Sequence, residues 1–155
     1  MKILGVDPGT NRIGYGLITD RPLKMIDYGV LEIKDSSRKK FLTLAERFTK
    51  LLDKLKPDLA AVEKIYFAKN QKTAMEVAQA RGIIIYLLLK KKIAIAEYGP
   101  QEVKSAVTGY GLADKKAVAK LTAKILQIDQ LRGHDDASDA LAIAITAVNN
   151  YGPWL

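Results

Sequence analysis

The sequence predicts an α/β protein built on a five-stranded mixed sheet flanked by helices. Three observations lead there. Residues 2–33 hold three strand-like runs joined by short turns. After them, helical periodicity alternates with short apolar runs of strand length. No repeat, low-complexity stretch or linker interrupts the 155 residues, so residues 1–155 are expected to form a single domain.

The first runs are KILGVD (2–7), IGYGLIT (13–19) and IDYGVLEI (about 26–33). The links Pro8-Gly9-Thr10-Asn11 and Asp20-Arg21-Pro22 are short enough for an antiparallel meander. Over 38–56, Phe41, Leu44, Ala45, Phe48, Leu51, Leu52 and Leu55 recur at spacings of three and four, which predicts an amphipathic helix. Ser36 or Ser37 is the expected N-cap, and Pro57 closes the helix. DLAAVE (58–63) reads as a short apolar strand ending in Glu63. A long helix follows over about 70–91, then the strand IAIAE (93–97) and a short helix near 100–107. Asp114 is placed to cap a helix carrying Val118, Leu121, Ile125 and Ile128 on one stripe. An alanine-rich helix from Asp135 to Val148 ends the series.

Composition excludes several chemistries. There is no cysteine, hence no disulfide, thiolate metal site or thiol nucleophile. The N-terminus lacks the long apolar region of a signal peptide, and Ile83–Leu89 is too short to span a bilayer. A cytoplasmic protein with no membrane partner is the expectation. The net charge of +8 is unevenly spread. Residues 64–124 carry 12 basic and 4 acidic side chains, whereas residues 125–155 carry 1 and 4. A basic block of this kind suits a polyanion such as nucleic acid, or is simply a lysine-rich solvated surface.

Four acids stand out. Asp7 and Glu63 each end an apolar strand, and ligand sites of open α/β sheets gather at strand carboxyl ends. Asp136 and Asp139 are three apart on the last helix and share a face. Ala137, Ala140 and Ala144 would let that helix lie close to the sheet. If the strands are parallel neighbours, four carboxylates approach one another. Such a group needs cations to offset its repulsion, and Mg²⁺ or Mn²⁺ are the natural choice for oxygen ligands. Each acid also has a plainer role. Asp7 suits a turn before Pro-Gly, Asp135 and Asp136 suit helix caps, and Glu63 suits a surface pair with Lys64 or Lys69. The Gly-rich turn in GVDPGTNRIGYG also admits a phosphate cradle of the actin and sugar-kinase type, although the chain has one domain's length where that class uses two.

The segments GVDPGTNRIGYG, AVEKIYFAKN, AQARG, EYGPQEVKSAVTGYG with ADKKAV, and DDASDALAIAIT, in this order and spacing, resemble the bacterial RuvC family of Holliday-junction resolvases over nearly the whole chain. The resemblance implies a ribonuclease H-like fold and cleavage of four-way DNA junctions by paired nicks. It implies two Mg²⁺ ions per site, with Mn²⁺ as a substitute, held by the catalytic acids Asp7, Glu63, Asp136 and Asp139. Asp135 is an alternative to Asp136. The family's base-contacting aromatic maps onto Tyr66, with Phe67 beside it, so which ring reaches DNA is open. Its basic residues map onto Lys104 and Lys115, with Lys116 a substitute for the second and Lys69 a further DNA-binding candidate. His134 is read as a residue of the helix start. A homodimer and a branch-migration motor complex of the RuvA–RuvB type are the implied partners. The apolar run RGIIIYLLLK (81–90) agrees with a dimer, because a helix apolar all round needs a second partner beyond the sheet. An RNA-processing nuclease on the same scaffold and a non-catalytic junction-binding protein are the competing readings.

Overall fold

The β-meander comes first: β1 (Lys2–Asp7), β2 (Arg12–Asp20) and β3 (Leu23–Glu32). Then follow α1 (Lys39–Leu55), β4 (Leu59–Glu63), α2 (Gln71–Lys90), β5 (Ala94–Tyr98), α3 (Pro100–Thr108), α4 (Lys115–Ile125) and α5 (Asp135–Asn150). This computed structural model describes residues 1–66 and 71–151. The five strands form one sheet in the order β3-β2-β1-β4-β5. β1 runs antiparallel to β2 and parallel to β4, and β4 runs parallel to β5, so the sheet is mixed as expected.

Strand side chains alternate between two faces, and each face has its own core. Leu4, Val6, Leu17, Ala60 and Val62 pack with Leu44, Phe48 and Leu52 of α1 and with Ile84 and Leu88 of α2. Ile3, Ile18, Leu59 and Ala61 pack with Val103 of α3, Val118 of α4, and Leu141 and Ile145 of α5. Leu141 alone, fully buried, contributes about 2 kcal/mol of apolar transfer free energy. This alternation fixes where the strand-end acids go. Asp7 and Glu63 continue the odd-numbered positions, the face that α5 covers.

α5 lies so close to β1 and β2 that a Cβ at Gly5 would sit 1.8 Å from the Ala140 carbonyl oxygen. A Cβ at Gly14 would sit 2.0 Å from the carbonyl oxygen of Asp136. The small alanines of α5 permit this approach only together with the glycines on the strands.

Several local expectations differ in detail. α1 has Arg38, in a helical conformation, at its N-cap with no side-chain cap, because Ser37 sits one place too early and its Oγ reaches only the Lys39 N–H at 3.3 Å. Lys56 closes α1 in a left-handed conformation immediately before Pro57. β3 begins at Leu23 rather than near 26, since pairing with β2 continues to Asp20. Asp114 does cap α4, accepting from the Ala117 N–H at 2.7 Å, but Ile128 lies beyond the helix end. At α5 the N-cap is His134, and neither Asp135 nor Asp136 caps through its side chain. Among the described residues no helix is long and apolar enough to cross a membrane.

Candidate active site

Register brings the first two acids together. Val6 pairs with Val62 on adjacent parallel strands, so Asp7 and Glu63 leave the sheet side by side. Their carboxyl groups share a hydrogen bond. Burial, then the charges of Glu63, Asp139 and Asp136, push the Asp7 carboxyl up to about 8. With no cation beside it, the Asp7 carboxyl therefore favours its protonated form more than an ordinary aspartate does. Glu63 is raised as well, first by burial, although the Asp7 proton and the nearby Lys115 and Lys104 charges oppose this. Among the described residues, no ion pair neutralises Asp7 or Glu63.

The two helix acids are treated differently. Asp139 Oδ2 stands 3.6 Å from Lys115 Nζ. Burial raises the Asp139 carboxyl, and Lys115 opposes the rise; Asp139 in turn raises Lys115. Asp136 faces away to Arg12, whose Nε lies 3.2 Å from its Oδ2. The Arg12 guanidinium also meets His134 Nδ1 at 3.2 Å, and His134 Nε2 lies 3.7 Å from Glu32 Oε1. As the side chains stand, no three described acids close to a geometry that holds a metal ion. The electrostatic coupling nevertheless runs from Asp7 to all three others. Asp136 and Asp139 are both partly exposed at a helix start, so their side chains can turn toward Asp7 and Glu63. The donor set is oxygen-only and short of cations, which suits a hard divalent ion.

Lys104, half-buried on α3, and Lys115, at the first turn of α4, line a cleft of about 240 Å³ with Glu63 and Asp139. Lys116 is exposed beside Lys115 on the same turn. A larger, open cleft of about 740 Å³ lies between the Gly9–Arg12 turn and Glu32–Ser36 and touches the acids only through Asp136. Tyr66 is 62% exposed, just after β4, with its hydroxyl end over Gly99. Phe67 and Lys69 lie outside the described residues. The suggested Glu63–Lys64 pair does not form: Lys64 Nζ instead lies 3.8 Å from Glu102.

Two residues that the sequence reading passed over touch these acids. Arg12 pairs with Asp136, and Arg81 of α2 donates from Nε to the Glu63 carbonyl at 3.0 Å. Both lie inside the quoted motifs, which was the available signal; their contacts need the folded sheet to be seen.

The model of the family "Crossover junction endodeoxyribonuclease RuvC" matches residues 3–147. The RuvC protein of Fusobacterium nucleatum is 41% identical over all of this chain and 84% of its own length. That of Petrotoga mobilis is 44% identical over 93% of this chain and 91% of its own. Among solved structures, RuvC from Thermus thermophilus superposes with a TM-score of 0.86 at 27% identity, covering 96% of this chain and 93% of its own. On the matched residues and the ribonuclease H-like sheet together, the chain belongs to the RuvC family of crossover junction endodeoxyribonucleases, which are metal-dependent nucleases.

Proposed function

We propose that this protein resolves four-way DNA junctions during homologous recombination and repair. It would nick two symmetric strands by phosphodiester hydrolysis and leave 5′-phosphate and 3′-hydroxyl ends. The observation that carries the reading is the Asp7–Glu63 pair, two partly buried carboxyl groups at the ends of adjacent parallel strands with no direct ion pair among the described residues. Asp7, Glu63, Asp136 and Asp139 would hold two Mg²⁺ ions, with Mn²⁺ as a substitute. Bound there, such ions activate a water and offset charge on the leaving oxygen. Lys104 and Lys115 sit on the rim of the same cleft and would grip the scissile phosphate. Lys116, next to Lys115 in the chain, and Tyr66, three residues past Glu63, are exposed and would contact the flanking strand and bases; Phe67 and Lys69 complete the proposed DNA-binding set.

Resolution needs two sites related by twofold symmetry. α2 buries Ile84 and Leu88 against the sheet and leaves Tyr86 and Leu89 about 60% exposed, at 60% and 63%. This outer apolar face suits a second copy of the chain. A branch-migration motor complex of the RuvA–RuvB type is the proposed further partner, and the cytoplasm the proposed setting. The test is incubation with Mg²⁺ and either a synthetic four-way DNA junction or a structured RNA. Paired symmetric nicks in the DNA junction alone are expected. Equal cutting of the RNA would favour an RNA-processing nuclease, and binding without cutting would favour a junction-binding protein.

A further inference from the structure

The segment Ala78-Gln79-Ala80-Arg81-Gly82 lies on α2, on the opposite side of the sheet from α5. Ala80 is buried against the sheet. Arg81 is only 20% exposed and spans the ends of two strands. Its Nε donates to the Glu63 carbonyl at 3.0 Å, and its Nη2 donates to Glu97 Oε2 of β5 at 2.6 Å.

The chain's own register explains why that carbonyl takes a side chain. Lys64 donates its backbone N–H to the Tyr98 carbonyl on β5, so the peptide oxygen of Glu63 points the other way, toward β1. The residue that would donate to it from that side, one beyond the Asp7–Glu63 level, is Pro8. Proline has no N–H. The turn that frees the Asp7 carboxylate therefore removes a ladder hydrogen bond from the neighbouring strand, at the residue whose own carboxylate joins Asp7. A buried carbonyl left without a donor costs on the order of a lost hydrogen bond and loosens the strand end.

We propose that Arg81 is a positioning residue for Glu63: its guanidinium replaces the strand donor missing at Pro8 and fixes the end of β4 from which the Glu63 carboxylate projects. Glu97 holds the guanidinium in place from the other side. α2 is also the helix with the exposed apolar face, so the contact ties the proposed dimer helix to the acid site by one side chain.

The inference rests on Glu63 being a metal-holding acid, and the test separates the two. Mn²⁺ binding to the metal-free protein is measured by calorimetry, and junction cutting as a function of Mn²⁺ concentration, for the parent protein, Arg81→Gln, Arg81→Lys, Glu63→Gln and the double variant Arg81→Gln/Glu63→Gln. Arg81→Gln is expected to weaken Mn²⁺ binding about tenfold and to slow cutting about 10- to 100-fold, with a thermal midpoint lowered by only about 2–6 °C, as the loss of one such hydrogen bond implies. Arg81→Lys recovers part of both, since lysine still donates to the carbonyl and pairs with Glu97, though not as a fork. In the Glu63→Gln background Arg81→Gln adds little, because its effect runs through Glu63. Parent-like Mn²⁺ binding and cutting in Arg81→Gln overturns the proposal. So does an equal loss in both backgrounds, which marks general destabilisation. Should Arg81→Gln fail to fold, Arg81→Lys is judged by the same Mn²⁺ affinity, and a parent-like value there with a lowered thermal midpoint overturns the proposal as well. If Glu63→Gln alone leaves Mn²⁺ binding and cutting intact, the assignment of Glu63 is what has failed.

Discussion

Asp7 and Glu63 leave the ends of buried parallel strands, whereas Asp136 and Asp139 sit in the first turns of α5, and the two pairs are held in opposite ways. The strand acids are fixed by the sheet register, lie against each other, and among the described residues neither forms a direct ion pair, although Lys115 and Lys104 act on Glu63 from a distance. Each helix acid has a basic side chain within 4 Å, Arg12 for one and Lys115 for the other. A carboxylate placed by backbone pairing cannot turn toward a surface lysine. One on an exposed helix turn can, and it exchanges that partner readily because partly exposed ion pairs are weak. The strand pair therefore supplies a rigid floor of two carboxyl groups with no directly paired cation, and the helix pair supplies two acids whose present partners are replaceable.

The sharpest way to break this contrast is to neutralise one acid of each kind. Asp7→Asn is expected to slow junction cutting by about a thousandfold or more while junction binding survives within a few-fold. Loss of binding together with cutting would mean that Asp7 is structural. Next in size is the helix docking that sets both pairs against each other. Gly14→Ala puts a methyl group 2.0 Å from the Asp136 carbonyl oxygen and should cost about 3 kcal/mol in urea unfolding. A loss under about 0.5 kcal/mol would show that α5 can retreat.

The smallest effect belongs to the exchangeable partner. Arg12→Gln frees Asp136 without touching the strand pair, so the Mn²⁺ concentration for half-maximal cutting should move by about tenfold or less, downward if Arg12 competes with the ion. An upward shift would make Arg12 a support for the site instead of a competitor.

The same contrast separates what the sequence revealed from what it hid. An acid at the end of each of two apolar runs and an Asp-x-x-Asp pair at the start of an alanine-rich segment are local patterns. They pointed to Asp7, Glu63, Asp136 and Asp139, and parity along the strands then carried Asp7 and Glu63 to the α5 face. The mixed sheet and the order of its elements were legible for the same reason. Contacts between distant segments were not. Arg12 meets His134 across 122 residues of sequence. Arg81 reaches a carbonyl whose need for a donor appears only once β1 is set beside β4 with Pro8 at its end. The capping serine of α1 was misplaced because a side chain that bonds one turn residue looks, in sequence, like one that starts the helix.

The central claim is that the strand pair lacks a directly bound cation and that a divalent ion supplies it. Without metal, the raised Asp7 carboxyl binds more protons in the folded state than in the unfolded chain between its ordinary value near 4 and about 8. Stability of the metal-free protein should accordingly fall as pH rises through that window; Asp7→Asn should shrink the slope, leaving the smaller part owed to the raised Glu63 and Asp139 carboxyls, and make the protein at least about 1 kcal/mol more stable at pH 8. The most direct measurement is proton release on binding Mn²⁺ at pH 7, read by calorimetry in buffers of different ionisation enthalpy. The account predicts release approaching one proton per site in the parent protein and almost none in Asp7→Asn. Binding without proton release in the parent, or equal release in both proteins, would contradict it.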